Sequence, residues 1–395
     1  MFQPFELERY FAQHEFSAKH LLCTSDCESM TVGELLGLDD NRSEASDSGN
    51  RSAFSQSLNG TWLGYTESRG APALRSAISA LYRGIDADSI LVHSGAEEAI
   101  LNLYLAALAP GDTVIVATPC YQSLSEIPQG IGARVIAWPI RRDAARWYFD
   151  VDEFERLARE QTPKMVVLNL PHNPTGALMS EDEFARAVEV CAARDTLLVV
   201  DEVYRGLELR GTPRLPAVCE VYERGISLSV LSKAWGLAGL RIGWLASRSA
   251  DILERVAAMK DYNSICASAP SETLAMVALR HSDELIQNNK AICERNLSAF
   301  ERFFERHGEV FEWLAPRAGS VAFPSLRSAG PCAPWPSADA LAQELLRDTG
   351  ALVLPGAAYG RDFAAHFRVG LGRRALPEGL AVFSAWIDAR TRARA

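Results

Sequence analysis

The chain has 395 residues, with 40 lysines and arginines against 50 aspartates and glutamates, which gives a formal net charge of −10. This length suits a large domain with a smaller companion. An acidic chain without a basic block disfavours a nucleic-acid or anionic-membrane partner. The segment Met1–Tyr10 carries charges and does not predict a signal peptide, and no apolar run is long enough for a membrane span. The eight cysteines form no CxxC pair and no zinc-ligand cluster, which is typical of reduced cytoplasmic thiols.

Short apolar, β-branched runs alternate with amphipathic stretches through most of the chain. The predicted strands are Ile90–His93, Thr113–Ala117, Ala133–Trp138, Lys164–Leu170, Thr196–Asp201, Ile226–Leu231 and Arg241–Ala246. The helical stretches between them include Ala96–Leu108, Glu181–Arg194 and Asp251–Lys260. This alternation predicts an α/β fold with a mostly parallel central sheet between layers of helices.

The pattern changes after about residue 285, where a long helical stretch begins. Short strands are predicted after it, at Val310–Leu314, Ser320–Pro324 and Phe367–Leu371. This change predicts a second, smaller α+β domain. We therefore expect an N-terminal segment (1–55) that joins the small domain, a large domain (56–285) and a small C-terminal domain (286–395).

A lysine with small and apolar neighbours follows one of the predicted buried strands. Lys233 stands in Ser-Lys-Ala-Trp-Gly, and Arg241 follows it eight residues later. A lone lysine at a strand end is usually a solvated surface charge. Here desolvation by the neighbouring residues would lower the lysine pKa and make the amine a nucleophile that can form an imine.

Two further motifs follow other predicted strands. Asn173 begins Asn-Pro-Thr-Gly, which on its own predicts only a turn. Asp201 ends a buried strand and begins Asp-Glu-Val-Tyr, which includes Tyr204. Open α/β sheets place ligand contacts at such strand ends, although a helix N-cap is the ordinary alternative for an aspartate there.

Together the three motifs resemble the class I/II aminotransferases of pyridoxal-5′-phosphate (PLP) fold type I, over nearly the whole chain. The resemblance implies that Lys233 binds the cofactor as an imine and moves the substrate Cα proton. It also implies that Asp201 pairs with the pyridine nitrogen, and that Asn173 and Tyr204 bind the phenolic oxygen. A buried carboxylate stabilises the cationic ring, which makes the ring a better electron sink.

The same resemblance assigns residues to the cofactor's phosphate and ring face. Gly95, Ala96 and Glu97 open a predicted helix, whose free amides and dipole favour phosphate. They are similar to the family's phosphate loop, which acts through main-chain contacts. Arg241 is similar to the arginine that clamps the phosphate. Tyr121 is similar to the aromatic residue that stacks on the pyridine ring.

Two residues outside these motifs resemble substrate and subunit contacts of the family. Arg368 is similar to the arginine that binds the substrate α-carboxylate, together with Asn173, and its planar fork suits that group. We interpret the nearby Arg373 and Arg374 as surface charges. Tyr65 is similar to the tyrosine that reaches the phosphate of a neighbouring subunit, which implies a homodimer with shared active sites.

The chain departs from the family pattern at two places. Val230 stands where many members carry a hydroxyl for the phosphate, so that contact is missing or comes from another residue. Asp26 and Glu28 lie in an N-terminal region that is Gly-rich in typical members. Near the pocket they would favour a cationic substrate side chain, and the alternative is that both are solvated loop acids.

The leading hypothesis is a cytoplasmic, PLP-dependent aminotransferase that moves an amino group between an amino acid and a 2-oxo acid. Residues 16–35 and 117–124 also resemble capreomycidine synthases, which use the same scaffold to cyclise a hydroxylated arginine by elimination. A PLP lyase or cyclase acting on an arginine derivative is therefore the alternative. A PLP-binding regulator is disfavoured by the acidic charge and the short segment before Trp62. A nicotinamide dehydrogenase is disfavoured because no GxGxxG follows a strand.

Overall fold

The computed structural model describes residues 2–43, 58–327 and 335–392. Its helices are Glu6–His14, Val32–Ser43, Pro72–Ser79, Ala96–Ala107, Ser123–Ile131, Val151–Gln161, Glu181–Ala192, Val218–Val221, Ala250–Lys260, Ala269–Arg280, Ser282–Arg306, Ala338–Thr349 and Leu376–Arg392. Its strands are His20–Leu21 (β1), Ile90–His93 (β2), Thr113–Thr118 (β3), Arg134–Pro139 (β4), Arg141–Arg142 (β5), Trp147–Tyr148 (β6), Met165–Asn169 (β7), Leu197–Asp201 (β8), Gly225–Val230 (β9), Gly243–Ala246 (β10), Phe311–Glu312 (β11), Val321–Ala322 (β12), Ser325–Leu326 (β13), Ala351–Leu352 (β14), Leu354–Pro355 (β15) and Phe367–Gly370 (β16).

The central sheet contains all seven strands that the sequence predicts for it. Their order is β2-β10-β9-β8-β7-β3-β4, and β10 alone is antiparallel to its neighbours. The predicted strand ends differ from the observed ones by at most two residues. The prediction of an α/β fold with a mostly parallel sheet is therefore confirmed.

Helices cover both faces of this sheet and bury it. Every residue of β2, β7, β8, β9 and β10 is buried, as expected for parallel strands packed on both sides. Helix Glu181–Ala192 shows how local chemistry sets an element's start. Ser180 and Glu183 form a reciprocal capping box there, and Phe184 and Ala187 turn inward.

The C-terminal part of the chain has the α+β character that the sequence predicts. The 25-residue helix Ser282–Arg306 leads into it. Small antiparallel sheets follow, in the orders β12-β16-β15 and β11-β13. The N-terminal β1 pairs in parallel with β14, so the start of the chain is joined to this part. None of the helices in the described ranges is long and apolar enough to cross a membrane.

Candidate active site

One edge of the central sheet collects the residues that carry chemistry. The strands β2, β3, β7, β8 and β9 are mutually parallel, so their carboxyl ends meet at the same edge. The antiparallel β10 begins at that edge, and Arg241 lies just before it. Loops that follow the parallel strands therefore converge, and ligands in open α/β sheets bind at such edges.

A cavity of about 380 Å³ opens at this edge. Its size falls within the usual range of small-molecule sites. Most of the residues that the sequence assigns to the cofactor line it together: Ala96, Glu97, Tyr121, Asn173, Asp201, Tyr204, Lys233 and Arg241. Strands that are far apart in the chain thus bring these side chains into one space.

Lys233 faces this cavity with its amine. The side chain is half-buried, and its Nζ donates a hydrogen bond to Ser25 Oγ at 2.9 Å. Burial lowers the pKa of Lys233, and the charge of Asp26 opposes that shift. A lysine with a lowered pKa is more often neutral and therefore more nucleophilic. The sequence did not predict this role for Ser25, because Ser25 is far from Lys233 along the chain and meets it only in the folded structure.

Asp201 is a buried carboxylate on the same cavity. Burial raises its pKa to about 7, and the hydrogen bond that it accepts from Val203 N opposes this shift. Asn169 fixes the surrounding loops, because its amide donates to the Asp201 carbonyl at 2.9 Å and its Oδ1 accepts from Asn173 N at 2.6 Å. Asn169 is a second residue that the motif analysis did not single out.

Arg368 lies behind the cavity wall. Its side chain is only 1% exposed, and its Nε and Nη2 both donate to the carbonyl oxygen of Cys23. Its Nη1 donates to Tyr359 Oη at 2.7 Å and to Asn173 Oδ1 at 3.3 Å, and Tyr359 Oη donates to Asn173 Oδ1 at 2.9 Å. Arg368 is thus linked to the cavity through Asn173. Tyr359 belongs to no motif, so the sequence did not reveal it.

A tight cradle forms where helix Ala96–Ala107 begins. Gly95 has a φ of +95°, and a Cβ there would lie 2.3 Å from Arg241 Nη2. A Cβ on Gly243 would likewise lie 2.7 Å from the Gly95 carbonyl carbon. Only glycine permits this conformation and this close approach. The free amides of the helix start and the guanidinium therefore lie side by side.

Three other side chains line this part of the cavity. Val230 lines it, as does Ser232, whose hydroxyl lies 3.5 Å from Arg241 Nη1. A hydroxyl is therefore present beside the arginine, although it stands two residues after the family's usual position. Glu97 accepts a hydrogen bond from Ser123 Oγ, and burial raises the pKa of Glu97 to about 7.

The helix Glu6–His14 covers another side of the cavity. Tyr121 Oη donates to Glu8 Oε1 at 2.9 Å, and the rings of Phe5 and Tyr121 pack at 5.1 Å between centroids. The residues from this helix and its end that line the cavity are Leu7, Glu8, Phe11 and Glu15. Their contribution could not be inferred from any motif.

The N-terminal acids have different surroundings. Asp26 lines the cavity and pairs with Arg373 Nη2 at 2.6 Å. Glu28 does not line it, and instead accepts a hydrogen bond from Arg374 N. The interpretation of Arg373 as a surface charge is wrong, because it is half-buried and bound to Asp26, whereas Arg374 is exposed. Tyr65 lies apart from this cavity and is 80% exposed.

Comparison with known proteins places this site in a family. A profile described as "Aminotransferase class I and II" matches residues 25–376. The chain is 29% identical to the capreomycidine synthase of Streptomyces vinaceus, over 98% of this chain and 95% of that protein. It is 32% identical to the arginine–pyruvate transaminase AruH of Pseudomonas aeruginosa, over 78% of this chain and 77% of that protein.

Solved structures agree with this placement. A PLP-dependent aminotransferase from Streptococcus suis superposes with a TM-score of 0.87 at 30% identity, covering 98% of each chain. The PLP-dependent cyclase OrfR superposes with a TM-score of 0.84 at 27% identity, again over 98% of each chain. The chain belongs to the class I and II aminotransferases. It is a PLP-dependent enzyme that moves an amino group between an amino acid and a 2-oxo acid.

The residues present fit PLP. The glycine cradle beside Arg241 has amides and a guanidinium suited to a phosphate group. The buried carboxylate of Asp201 is charged only at a cost, which a protonated pyridine nitrogen would offset. The amine of Lys233 opens onto the same cavity. The three chemical features of PLP thus have matching groups in one space.

Proposed function

We propose that this cavity holds PLP, with Lys233 as the residue that binds it covalently and Asp201 as the partner of its ring nitrogen. The observation that carries the proposal is that both side chains face one cavity of suitable size. When bound, PLP withdraws electrons from the substrate Cα and so makes the Cα proton acidic. Side chains of this protein would transfer the proton and orient the two ligands.

Lys233 is the general base and acid in this proposal. With PLP and substrate bound, the amine of Lys233 would take the proton from the substrate Cα and would deliver it to the carbon on the other side of the substrate nitrogen. The lowered pKa of Lys233 supports this role, because a proton carrier works best with a pKa near the operating pH. Ser25 Oγ, as the hydrogen-bond partner of Nζ, would orient the amine between these two positions.

Other side chains orient the two ligands. Asn173 and Tyr204 would bind the phenolic oxygen, and the ring of Tyr121 would lie against the pyridine. The main chain of residues 95–97, Arg241 and the hydroxyl of Ser232 would hold the phosphate. Arg368 would bind the substrate carboxylate, next to Asn173.

Trapping with borohydride tests this assignment. Purified protein incubated with PLP and borohydride should gain the mass of one reduced cofactor, located on the peptide that contains Lys233. Lys233→Ala should keep the fold and some PLP but lose turnover by about 10³-fold or more. A protein that neither shows the absorption of a lysine-bound imine of PLP nor gains mass on reduction would contradict the proposal.

A cyclising elimination is the second candidate. The similarity to capreomycidine synthase over almost the whole chain favours it, as does the structural similarity to the cyclase OrfR. Both reactions begin with the same removal of the Cα proton. Incubation with an amino-acid panel and 2-oxoglutarate separates them. Glutamate formation supports transamination, and its absence across the panel, with loss of a hydroxylated arginine, supports the cyclase.

We also propose a homodimer in which Tyr65 reaches the partner's phosphate site. Large apolar side chains near it in sequence are exposed, namely Trp62 (78%) and Leu63 (79%), and Tyr262 is 91% exposed. Isolated surface aromatics are common, but several large ones in a short segment indicate an interface. Light scattering should give twice the chain mass, and Tyr65→Phe should weaken PLP binding.

A cytoplasmic location and the division into three parts complete the proposal. The seven cysteines in the described ranges are all free thiols, which supports a reducing compartment. Pairing of β1 with β14 supports an N-terminal segment that joins a small C-terminal domain. Alkylation of the native protein's thiols, measured after extraction from intact cells, tests the first point. Limited proteolysis near residues 55 and 285 tests the second.

A further inference from the structure

Two carboxylates from the N-terminal helix face the substrate cavity. Leu7, Glu8, Phe11 and Glu15 line it, and their spacing places them on one side of the helix Glu6–His14 and its end. Leu7 and Phe11 are buried, as expected for the apolar part of such a face. Glu8 is exposed and Glu15 is half-buried, and both line the cavity beside this apolar pair.

Neither acid is neutralised by a basic side chain. Glu8 accepts a hydrogen bond from Tyr121 Oη. In the part of the chain that the structure describes, the side chain of Glu15 has no hydrogen bond or ion pair, and only its backbone amide donates, to the Phe11 carbonyl. Burial raises the pKa of Glu15, and the charges of Asp26 and Glu8 add to this shift, whereas the charges of Arg373 and Lys233 oppose it. A cationic ligand that pairs with this carboxylate would offset the cost of its partial burial.

The other charged groups on the cavity already have partners or assigned ligands. Asp26 is paired with Arg373. Arg241 and Arg368 are assigned to two anions, the phosphate and the substrate carboxylate. Lys233 is assigned to the cofactor, and the charge of Glu8 acts to raise the pKa of Lys233. Of the described cavity carboxylates without an ion pair, Asp201 is assigned to the cofactor's ring nitrogen and Glu97 lies beside the phosphate cradle, where it accepts from Ser123, so Glu8 and Glu15 are the ones that remain for the substrate side chain.

We propose that Glu8 and Glu15 select an amino acid whose side chain carries a positive charge, such as a guanidinium or ammonium group. This inference deepens the proposed function and rests on it. A cation bound between the two carboxylates gains Coulomb energy, and the gain is larger at Glu15, which is half-buried, than at the exposed Glu8. A guanidinium also offers paired N–H donors to each carboxylate. The cationic preference thus comes from the N-terminal helix, and the paired Asp26 contributes little.

Arginine and citrulline provide the test, because citrulline has nearly the same shape without the charge. The holoenzyme is given each amino acid with pyruvate or 2-oxoglutarate, and the ratio of the two kcat/KM values is measured. Wild-type enzyme should prefer arginine by about tenfold or more. Glu8→Gln and Glu15→Gln should each lower the ratio about three- to tenfold. Glu15→Lys should lower it further.

Glu6→Gln is the matched control, since Glu6 lies on the same helix but outside the cavity, and its ratio should equal that of wild type. In the wild-type enzyme the preference should also fall as salt rises from about 0.05 to 0.5 M, a measurement that needs no variant. An unchanged ratio in the Glu8→Gln/Glu15→Gln double variant, or equal use of the two amino acids by wild type, overturns the inference. Failure of every amino acid to react would instead overturn the proposed function.

Discussion

Replacing Asp201 by asparagine should stabilise the cofactor-free protein and slow the loaded enzyme. Burial raises the pKa of Asp201 from 3.8 to about 7. The folded protein therefore binds more protons than the unfolded chain between these pH values. Its free energy of unfolding must fall as pH rises through this window. Asparagine carries no charge, so the free energy of unfolding of the variant should not fall in this way as pH rises. Its Oδ1 can still accept the hydrogen bond from Val203 N.

The size of the effect follows from the pKa. A tenfold change in an equilibrium constant is 1.36 kcal/mol, so a pKa raised from 3.8 to about 7 corresponds to at most about 4 kcal/mol at pH 8. The gain should be smaller than this limit, because the carboxylate faces an open cavity. At pH 4 the wild-type carboxyl is protonated in the folded state, and the two proteins should differ little. With PLP bound, loss of the carboxylate opposite a buried cation should cost about 3–5 kcal/mol, which is about 10²–10⁴-fold in rate.

Urea unfolding of the cofactor-free proteins at pH 4 and pH 8 measures the first effect, and the rate of the half-reaction with an amino acid measures the second. Glu202→Gln is the matched control. Glu202 is also buried with a pKa raised to about 7, but it binds Ser227 and the Val218 amide outside the cavity. It should retain the half-reaction. An Asp201→Asn protein that is no more stable at pH 8, or that reacts within about threefold of wild type, would refute the reasoning.

Two other substitutions test the neighbouring parts of the site. Tyr359→Phe removes the hydroxyl that bridges Arg368 Nη1 and Asn173 Oδ1, so KM for the amino acid should rise about tenfold while kcat changes little. Steady-state kinetics at several substrate concentrations would detect this, and an unchanged KM would argue against a positioning role. Gly95→Ala places a Cβ against Arg241 Nη2, at a backbone φ that residues with side chains avoid. PLP affinity should therefore fall at least about tenfold and Tm by about 2–4 °C, as measured by cofactor titration and calorimetry. A normal affinity would show that the cradle can widen.

The sheet and its reactive edge could be predicted because their signals are local. The strands are short apolar runs, and several have a reactive residue at or just past the end, such as Asp201 at the end of β8 and Lys233 after β9. Parallel pairing then brings those ends together without any further information. No sequence signal predicted that β10 is antiparallel to its neighbours. The position of Arg241 depends on this direction, because Arg241 precedes β10 and lies at the reactive edge only if β10 begins there.

The opposite side of the cavity could not be predicted, for a physical reason. Ser25 and Glu15 reach the site through tertiary contacts with residues more than two hundred positions away, such as the hydrogen bond between Ser25 and Lys233. Composition and spacing carry no record of such contacts. The sequence did suggest that N-terminal acids favour a cation, but it pointed to Asp26 and Glu28. The structure pairs Asp26 with Arg373 and ties Glu28 to a backbone amide.

This division between local and distant residues bears on how one scaffold serves several reactions. The groups that handle the cofactor come from the sheet edge, whose geometry is set by strand pairing and tolerates little change. The groups that we propose to meet the substrate side chain come from a helix at the start of the chain, which packs over the cavity through Tyr121 and Gln122. Substitutions on that helix can alter which amino acid is selected without disturbing Lys233 or Asp201. Relatives with the same reactive edge should therefore differ in substrate mainly through the residues of this helix.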